Sequence, residues 1–388
     1  MTDTTEFDEL IQIRRYLHAH PELSRQERET TELVRQRLAA AGLSSVVLPS
    51  GTGLYCDVGS GNGPIIALRA DLDALPLQDE KNVAYRSTRP GVCHACGHDV
   101  HTAILLGAGL ELAKRSRELR GRVRLIFQPA EEGVPSGSPD VIAAGGLDGV
   151  SLIYALHCDP QLQVGEIGYK FGPITSAYDA VDVVVRGQGG HSARPHLTTD
   201  IIYVIGRVVT DLPRTLQQVG QWEPGSGAFI TFGAIKSGEA RNALPAYAEA
   251  RGGVRSLNFK AWAELPKVLE RAVDNLLKPY DVKWQINHSR VTPIVTNDDV
   301  ATKLLVVGAA RVVGEEPVVP VHQSLGSEDF GWYLQQTPGC LFRLGVRPPT
   351  AEGIVDLHSG LFDVDERAIK VGVRTFVETA ILALDHSV

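Results

Sequence analysis

Nine consecutive residues, Cys93-His94-Ala95-Cys96-Gly97-His98-Asp99-Val100-His101, carry five side chains able to ligate a soft or borderline metal. Thiols and imidazoles at that density suit zinc, manganese, cobalt or nickel better than calcium or magnesium, which prefer oxygen. Three other readings compete. A Cys-x-x-Cys pair serves redox chemistry, but that leaves the histidines unexplained. A c-type haem attachment needs histidine directly after the second cysteine, where this chain has Gly97. A structural zinc site normally takes a second closely spaced pair, and the chain holds no other Cys-x-x-Cys.

Several apolar runs lead into residues of catalytic type. IIALRA runs into Asp71 and Asp73, RVRLIFQPA into Glu131 and Glu132, and SLIYAL into His157. If these runs are strands of an open α/β sheet, their carboxyl ends line one crevice and the polar residues converge. Glu131-Glu132 also reads as a solvated loop, yet adjacent carboxylates can divide labour, one binding a metal and one taking a proton from water. Asp71, Asp73 and Asp99 are candidates to accept the outward ring proton of ligating histidines, or are ordinary loop acids. Further on, Gly187 to His196 holds His191 among glycines that permit close backbone approach, without the Gly-Lys-Ser/Thr ending of a phosphate loop. Ser327-Glu328-Asp329-Phe330 and His358-Ser359-Gly360 lie in glycine-rich surroundings that predict loops.

The elements that must position these residues follow from periodicity. Phe7 to Ala41 predicts two helices flanking His20-Pro21, and short apolar runs at 45–48, 54–58 and 65–68 predict strands. A helix from His98 to Ser116, a strand at 123–127 and a strand at 152–156 continue an α/β alternation. Between about Tyr178 and Pro293 the order becomes β-α-β-β-α-β, the split βαβ pattern of a ferredoxin-like unit. A helix at 301–313 and a strand at 340–344 return to the first texture. We therefore expect a mixed α/β domain of residues 1–177 and 293–388 with an inserted α+β domain of residues 178–292.

Bulk composition sets outer limits. A chain of 388 residues exceeds what one core usually serves, and 43% hydrophobic with 22% charged residues is ordinary globular composition. A net charge of -8 gives no field to hold a phosphate backbone or an anionic membrane, so neither nucleic acid nor membrane is an expected partner. The acidic opening MTDTTEFDEL is unlike a secretory signal, and five cysteines are an odd number, so a reducing, cytoplasmic setting is expected.

Taken together, RRYLHAHPELSRQE, ALRADLDALP, CHACGHDVH, QPAEEG, ALHCDP, GQGGHSARPH, NALP, SEDF and LHSG resemble the M20 metallopeptidase family, in particular its amidohydrolase subgroup of aminoacylases, hippurate hydrolases and auxin-conjugate hydrolases. The resemblance implies a catalytic domain with a two-metal site formed by Cys96, His98, Glu132, His157 and His358, and two divalent ions per subunit. It implies Glu131 as general base, His191 as oxyanion donor, and Asn242, with Arg194 and Arg241, as binders of the substrate's carboxylate. Arg69 stands where other branches carry a metal-binding histidine. The inserted domain is implied to pair two subunits and act as a lid. The implied reaction is hydrolysis of the amide bond of small N-acyl amino acids; a dipeptidase or exopeptidase of the same fold, or a binding protein without turnover, are the alternatives. Cys93 stands where relatives more often carry methionine and receives no role.

Overall fold

The computed structural model describes residues 3–60, 62–223 and 226–386. The chain divides into two compact units: one of residues 1–174, 296–322 and 329–388, the other of Thr175–Val295 and Gln323–Glu328. The second unit thus takes in 323–328, which the sequence reading left with the first. The reason is local bonding. Ser176 Oγ donates to the Leu325 carbonyl at 2.7 Å, Gln323 Nε2 donates to the carbonyls of Thr175 and Leu257 at 2.9 Å, and Arg255 donates to Leu325 at 2.7 Å.

The first unit is built on an eight-stranded mixed sheet in the order Ser45–Val47, Leu54–Val58, Arg122–Gln128, Ile65–Asp71, Val150–Gln163, Gly339–Arg347, Ile167–Tyr169 and Val318–Pro320. Its four central strands, from Arg122–Gln128 to Gly339–Arg347, run parallel. Parallel strands covered on both faces are largely apolar, and Ile65–Asp71 is buried along its whole length, its first four residues apolar. Helix His98–Lys114 is likewise buried on nearly all sides, packing between the sheet and the helices Asp3–Ala19 and Arg367–His386. Gly107 makes that contact possible, since a Cβ there would meet Leu10 Cδ1 at 2.5 Å.

One strand differs from expectation in a way that matters. The run predicted to end before His157 continues to Gln163, because Gly339–Arg347 pairs with it beyond that point, Arg343 opposite His157 and Arg347 opposite Gln163. On the other side, pairing with Ile65–Asp71 stops at Ala155 opposite Arg69. His157 therefore stands inside its own strand, just past the point where pairing with Ile65–Asp71 stops.

The second unit is a four-stranded antiparallel sheet with helices Ile201–Gly220 and Phe259–Leu277 packed on one core. Its strands in space run Ala228–Ser237, Tyr247–Ser256, Ala177–Arg186, Lys283–Thr292. In chain order that is second, third, first, fourth, the ferredoxin-like arrangement of a β-α-β-β-α-β unit. Asn258 and Asp200 cap the two helices, each side chain accepting from a first-turn amide. No helix of the described residues is long and apolar enough to cross a membrane.

Candidate metal centre

Parallel strands deliver their carboxyl ends to one edge of the first unit, and the side chains gathered there come from four stretches of sequence, around Cys96, Glu131, His157 and His358. Helix His98–Lys114 begins at that edge. Gly97 before it adopts φ 89°, and a Cβ on it would lie 2.9 Å from Cys158 Sγ, so only glycine lets the chain turn from Cys96 into the helix this close to the neighbouring strand. Ligand atoms of Cys96, His98 and His157 lie within 4.8 Å of one another, as do those of Cys96, Glu132 and His358, and those of His98, Glu131 and Glu132. The five residues named from the sequence as a ligand set, with Glu131, thus meet at one place, Cys96 being common to two of the groups.

The surroundings hold these side chains in ligand-like attitudes. His98 Nδ1 lies 2.9 Å from the Asp73 carbonyl and His157 Nδ1 lies 2.8 Å from the Cys158 carbonyl. With one ring proton committed there, Nε2 is the nitrogen each ring turns toward the cluster. His98 Nε2 and Glu132 Oε1 are buried and find no hydrogen-bond partner among the described residues, although His358 Nε2 approaches that oxygen to 3.2 Å. His157 Nε2 is 3.4 Å from Cys96 Sγ. Ligand-type atoms gathered this closely, with His98 Nε2 buried and without a hydrogen-bond partner, fit a shared cation.

Charge points the same way. Burial works against a positive His98, yet Asp71, Asp73 and Glu132 outweigh it and push its pKa up to about 10. Burial, with Glu132, Glu131 and Asp71 adding to it, holds the Cys96 thiol well above its ordinary value, so a divalent cation is what would make it a thiolate. Burial, with His101 and Arg343 nearby, keeps His157 well below its ordinary value and hence neutral, as a ligand must be.

The turn bearing both glutamates is tethered from below. Asp73 accepts from the Glu131 amide at 3.0 Å, the Glu132 amide at 2.9 Å and Ser24 Oγ at 2.6 Å. Ala130, just before them, is held at φ 55° by a bond from its amide to Glu27 Oε1 at 2.7 Å. His358 is also left-handed, at φ 61°, its amide donating to the Ala95 carbonyl at 2.8 Å. Such conformations cost about 1–3 kcal/mol each in non-glycine residues and persist where neighbours over-determine them.

The remaining members of the nine-residue cluster sort differently. His101 has both ring nitrogens engaged, Nδ1 at 2.7 Å from Asp71 Oδ1 and Nε2 accepting from the Cys158 amide at 2.9 Å. Cys93 groups with His18 and Asp79, and Lys81 Nζ lies 3.7 Å from its sulfur. His94 is buried, and burial pushes its pKa down to about 3. Asp99 is buried against Arg14 and His18. Sequence reasoning passed over Glu27, Gln128 and Tyr333, for which no local pattern gives a signal.

His191, Arg194, Arg241 and Asn242 belong to the second unit and are exposed. A two-stranded ribbon joins their loops: His191 pairs with Ala243, and the Ser192 amide donates to the Asn242 carbonyl at 3.1 Å. His191 Nδ1 accepts from the Ala193 amide at 3.0 Å, which puts the ring proton on Nε2 and makes that nitrogen a donor.

Comparison with known proteins adds to this geometry. Residues 67–381 match the sequence pattern of Peptidase family M20/M25/M40. The chain belongs to that family. N-acetylcysteine deacetylase of Bacillus subtilis is 35% identical to this member over 387 residues, covering 99% of each chain. A Rhodococcus jostii relative carrying the name of a glutamate–cysteine ligase is 47% identical over 97% of this chain, which spans only 47% of that relative's length. The crystal structure of Bacillus subtilis YXEP, described as a dinuclear metal binding peptidase from the M20 family, superposes with a TM-score of 0.86 at 34% identity, covering 99% of both chains.

Proposed function

We propose that this M20 family member is an amidohydrolase that cleaves the amide bond of small N-acyl amino acids. The observation that carries the reading is the meeting of the ligand atoms of Cys96, His98, Glu132, His157 and His358 at one place, with His98 Nε2 buried and without a hydrogen bond, beside the half-buried carboxylate of Glu131. Those five residues would hold two divalent cations, as the dinuclear relative suggests. When bound, the cations lower the pKa of a water and polarise the acyl carbonyl.

The chain's own residues do the rest. Glu131, fixed through its amide by Asp73 and facing the Asp329 amide at 3.4 Å, takes the proton of the attacking water and passes it to the departing amine. His191 Nε2 donates to the oxygen that gains charge as the carbonyl is attacked, and Asn242, beside it on the ribbon, binds the carboxylate of the amino-acid half with Arg194 and Arg241. We place the reaction in the cytoplasm, which accords with five cysteines standing as free thiols.

We further propose a two-fold homodimer in which His191 serves the partner subunit's centre. Strand Ala228–Ser237 lies at the edge of its sheet, and Ile202, Tyr203 and Ile235 are exposed in the same unit, surface that suits self-pairing. Reassociating inactive His191→Ala chains with inactive Glu131→Ala chains then makes about half the dimers mixed, each with one working site of two, and returns about a quarter of the activity. No recovery from proven mixed dimers would remove the shared site.

Substrate class is decided by assay. The protein loaded with zinc or manganese should release the amino acid from N-acetylcysteine and N-benzoylglycine faster than it cleaves free dipeptides. The reverse preference would make it an exopeptidase, and no turnover of either by metal-loaded protein would make it a binding protein.

A further inference from the structure

Behind the cluster runs a buried network of charges to which the reaction as described gives no part. Arg69, in strand Ile65–Asp71, is fully buried, and each arm of its guanidinium donates to a buried side chain. Nε donates to Gln128 Oε1 at 2.9 Å, Nη1 to Asp71 Oδ2 at 2.7 Å and Nη2 to Asp329 Oδ1 at 2.9 Å. Each carboxylate leads onward. Asp71 Oδ1 lies 2.7 Å from His101 Nδ1, and His101 Nε2 accepts the amide of Cys158, the residue after the ligand candidate His157. Asp329 also accepts from Gln128 Nε2 and from the Ser138 amide, and its own amide donates to Glu131 Oε1 at 3.4 Å. Tyr333 completes the frame by donating to Gln128 Oε1 at 2.9 Å.

A structural role alone is a poor account of this network. Taking a guanidinium and two carboxylates out of water costs several kcal/mol per ion, and well-packed apolar side chains of the same volume are often as stable or more so. What a planar fork supplies that packing does not is fixed direction at both ends. Here one end leads to the backbone beside His157 and the other to the amide that faces Glu131.

We propose that Arg69 is a positioning residue: by bridging Asp71 and Asp329 it sets the Glu131 carboxylate relative to His157, so that turnover, rather than metal binding or substrate affinity, depends on its two-ended guanidinium. The inference rests on Glu131 acting as the base. A shift of about 1 Å in a reacting group can cost about 10²-fold in rate, which is the scale to expect if the bridge is opened.

Arg69→Lys keeps the charge but replaces the fork with a single point donor, so it serves Asp71 or Asp329 and not both. In the metal-loaded full chain, kcat should fall about tenfold to a hundredfold with KM within about twofold, while metal stoichiometry and the calorimetric affinity for a non-hydrolysable amide analogue stay unchanged. Asp329→Asn, which keeps both shape and main-chain amide, should give the same split. Full kcat in both variants, a fall matched by lost metal or raised KM, or failure of both to fold would overturn the proposal. Glu131→Gln assayed alongside separates the two levels. If that variant keeps normal kcat, the base assignment fails; if it is inactive while Arg69→Lys and Asp329→Asn turn over normally, only the bridge fails.

Discussion

Two pairs of buried histidines lie close together in the first unit and differ in what anchors them. His98 and His157 are tied through Nδ1 to main-chain carbonyls, with Nε2 turned toward the cluster. His18 and His101 have both nitrogens occupied: His18 lies between Asp99 at 2.7 Å and Asp79 at 3.3 Å, His101 between Asp71 and the Cys158 amide. A carbonyl anchor occupies Nδ1 and leaves Nε2 to face the cluster, where a cation can take the place of a proton. A ring with both nitrogens bonded to protein groups has none to offer a cation. For His18, burial opposes the charge, but Asp99 and Asp79 outweigh it and push the pKa up to about 10. The same residue type thus supplies ligands in one pair and braces in the other, and the distinction lies in the anchor rather than in the spacing.

The contrast is broken most severely at the sulfur. Cys96→Ala should lose tightly bound metal and all turnover, since Cys96 is common to two of the three-residue groups, whereas Cys93→Ala, in the His18 cluster, should keep both. Equal metal loss in the two variants, measured by elemental analysis, would mean that the two clusters are not chemically distinct. A milder cut separates ligand from brace. His101→Ala should retain the metal stoichiometry while weakening affinity about 10–100-fold, because it loosens the backbone beside His157. His98→Ala should lose stoichiometry outright.

The smallest effect concerns the support of the glutamate turn. Burial, with Asp73 adding to it, pushes Glu27 up to about 7 against the amide bonds from Ala130 and Arg25. An acid whose folded pKa is raised binds its proton more tightly folded than unfolded. Glu27 therefore costs nothing well below its unfolded value near pH 4.5, and its cost grows as pH rises to about 7. Glu27→Gln should stabilise the metal-free protein by about 1–3 kcal/mol at pH 8 and by little at pH 4.5. Urea unfolding that gives the same difference at both pH values would show that Glu27 does not titrate this way.

Much of this was legible beforehand, for reasons that differ by region. The β-α-β-β-α-β order of the second unit followed from alternating apolar runs and glycine boundaries, because each strand there has one buried face. The return of 323–328 to that unit was not, since a short coil segment held by backbone bonds leaves no periodic trace. At the centre, strand ends pointed to Glu131, Glu132 and His157 as neighbours. The family resemblance named His98 and not His101 as a ligand, but spacing alone could not sort them: they lie three residues apart at the start of one helix, and the carbonyl of Asp73 and the carboxylate of Asp71 distinguish them. Arg69 read as a substitution at a ligand position; its bridge to Asp329 spans 260 residues and could not be seen locally.

Glu131→Gln isolates the general base, because it keeps the shape of the turn and every ligand candidate while removing the proton acceptor. The purified variant should hold two divalent ions per chain, as wild type does, while kcat falls by about 10²–10⁴-fold with KM little changed. A variant that carries both ions and turns over an N-acyl amino acid at a near-normal kcat would contradict that role for Glu131.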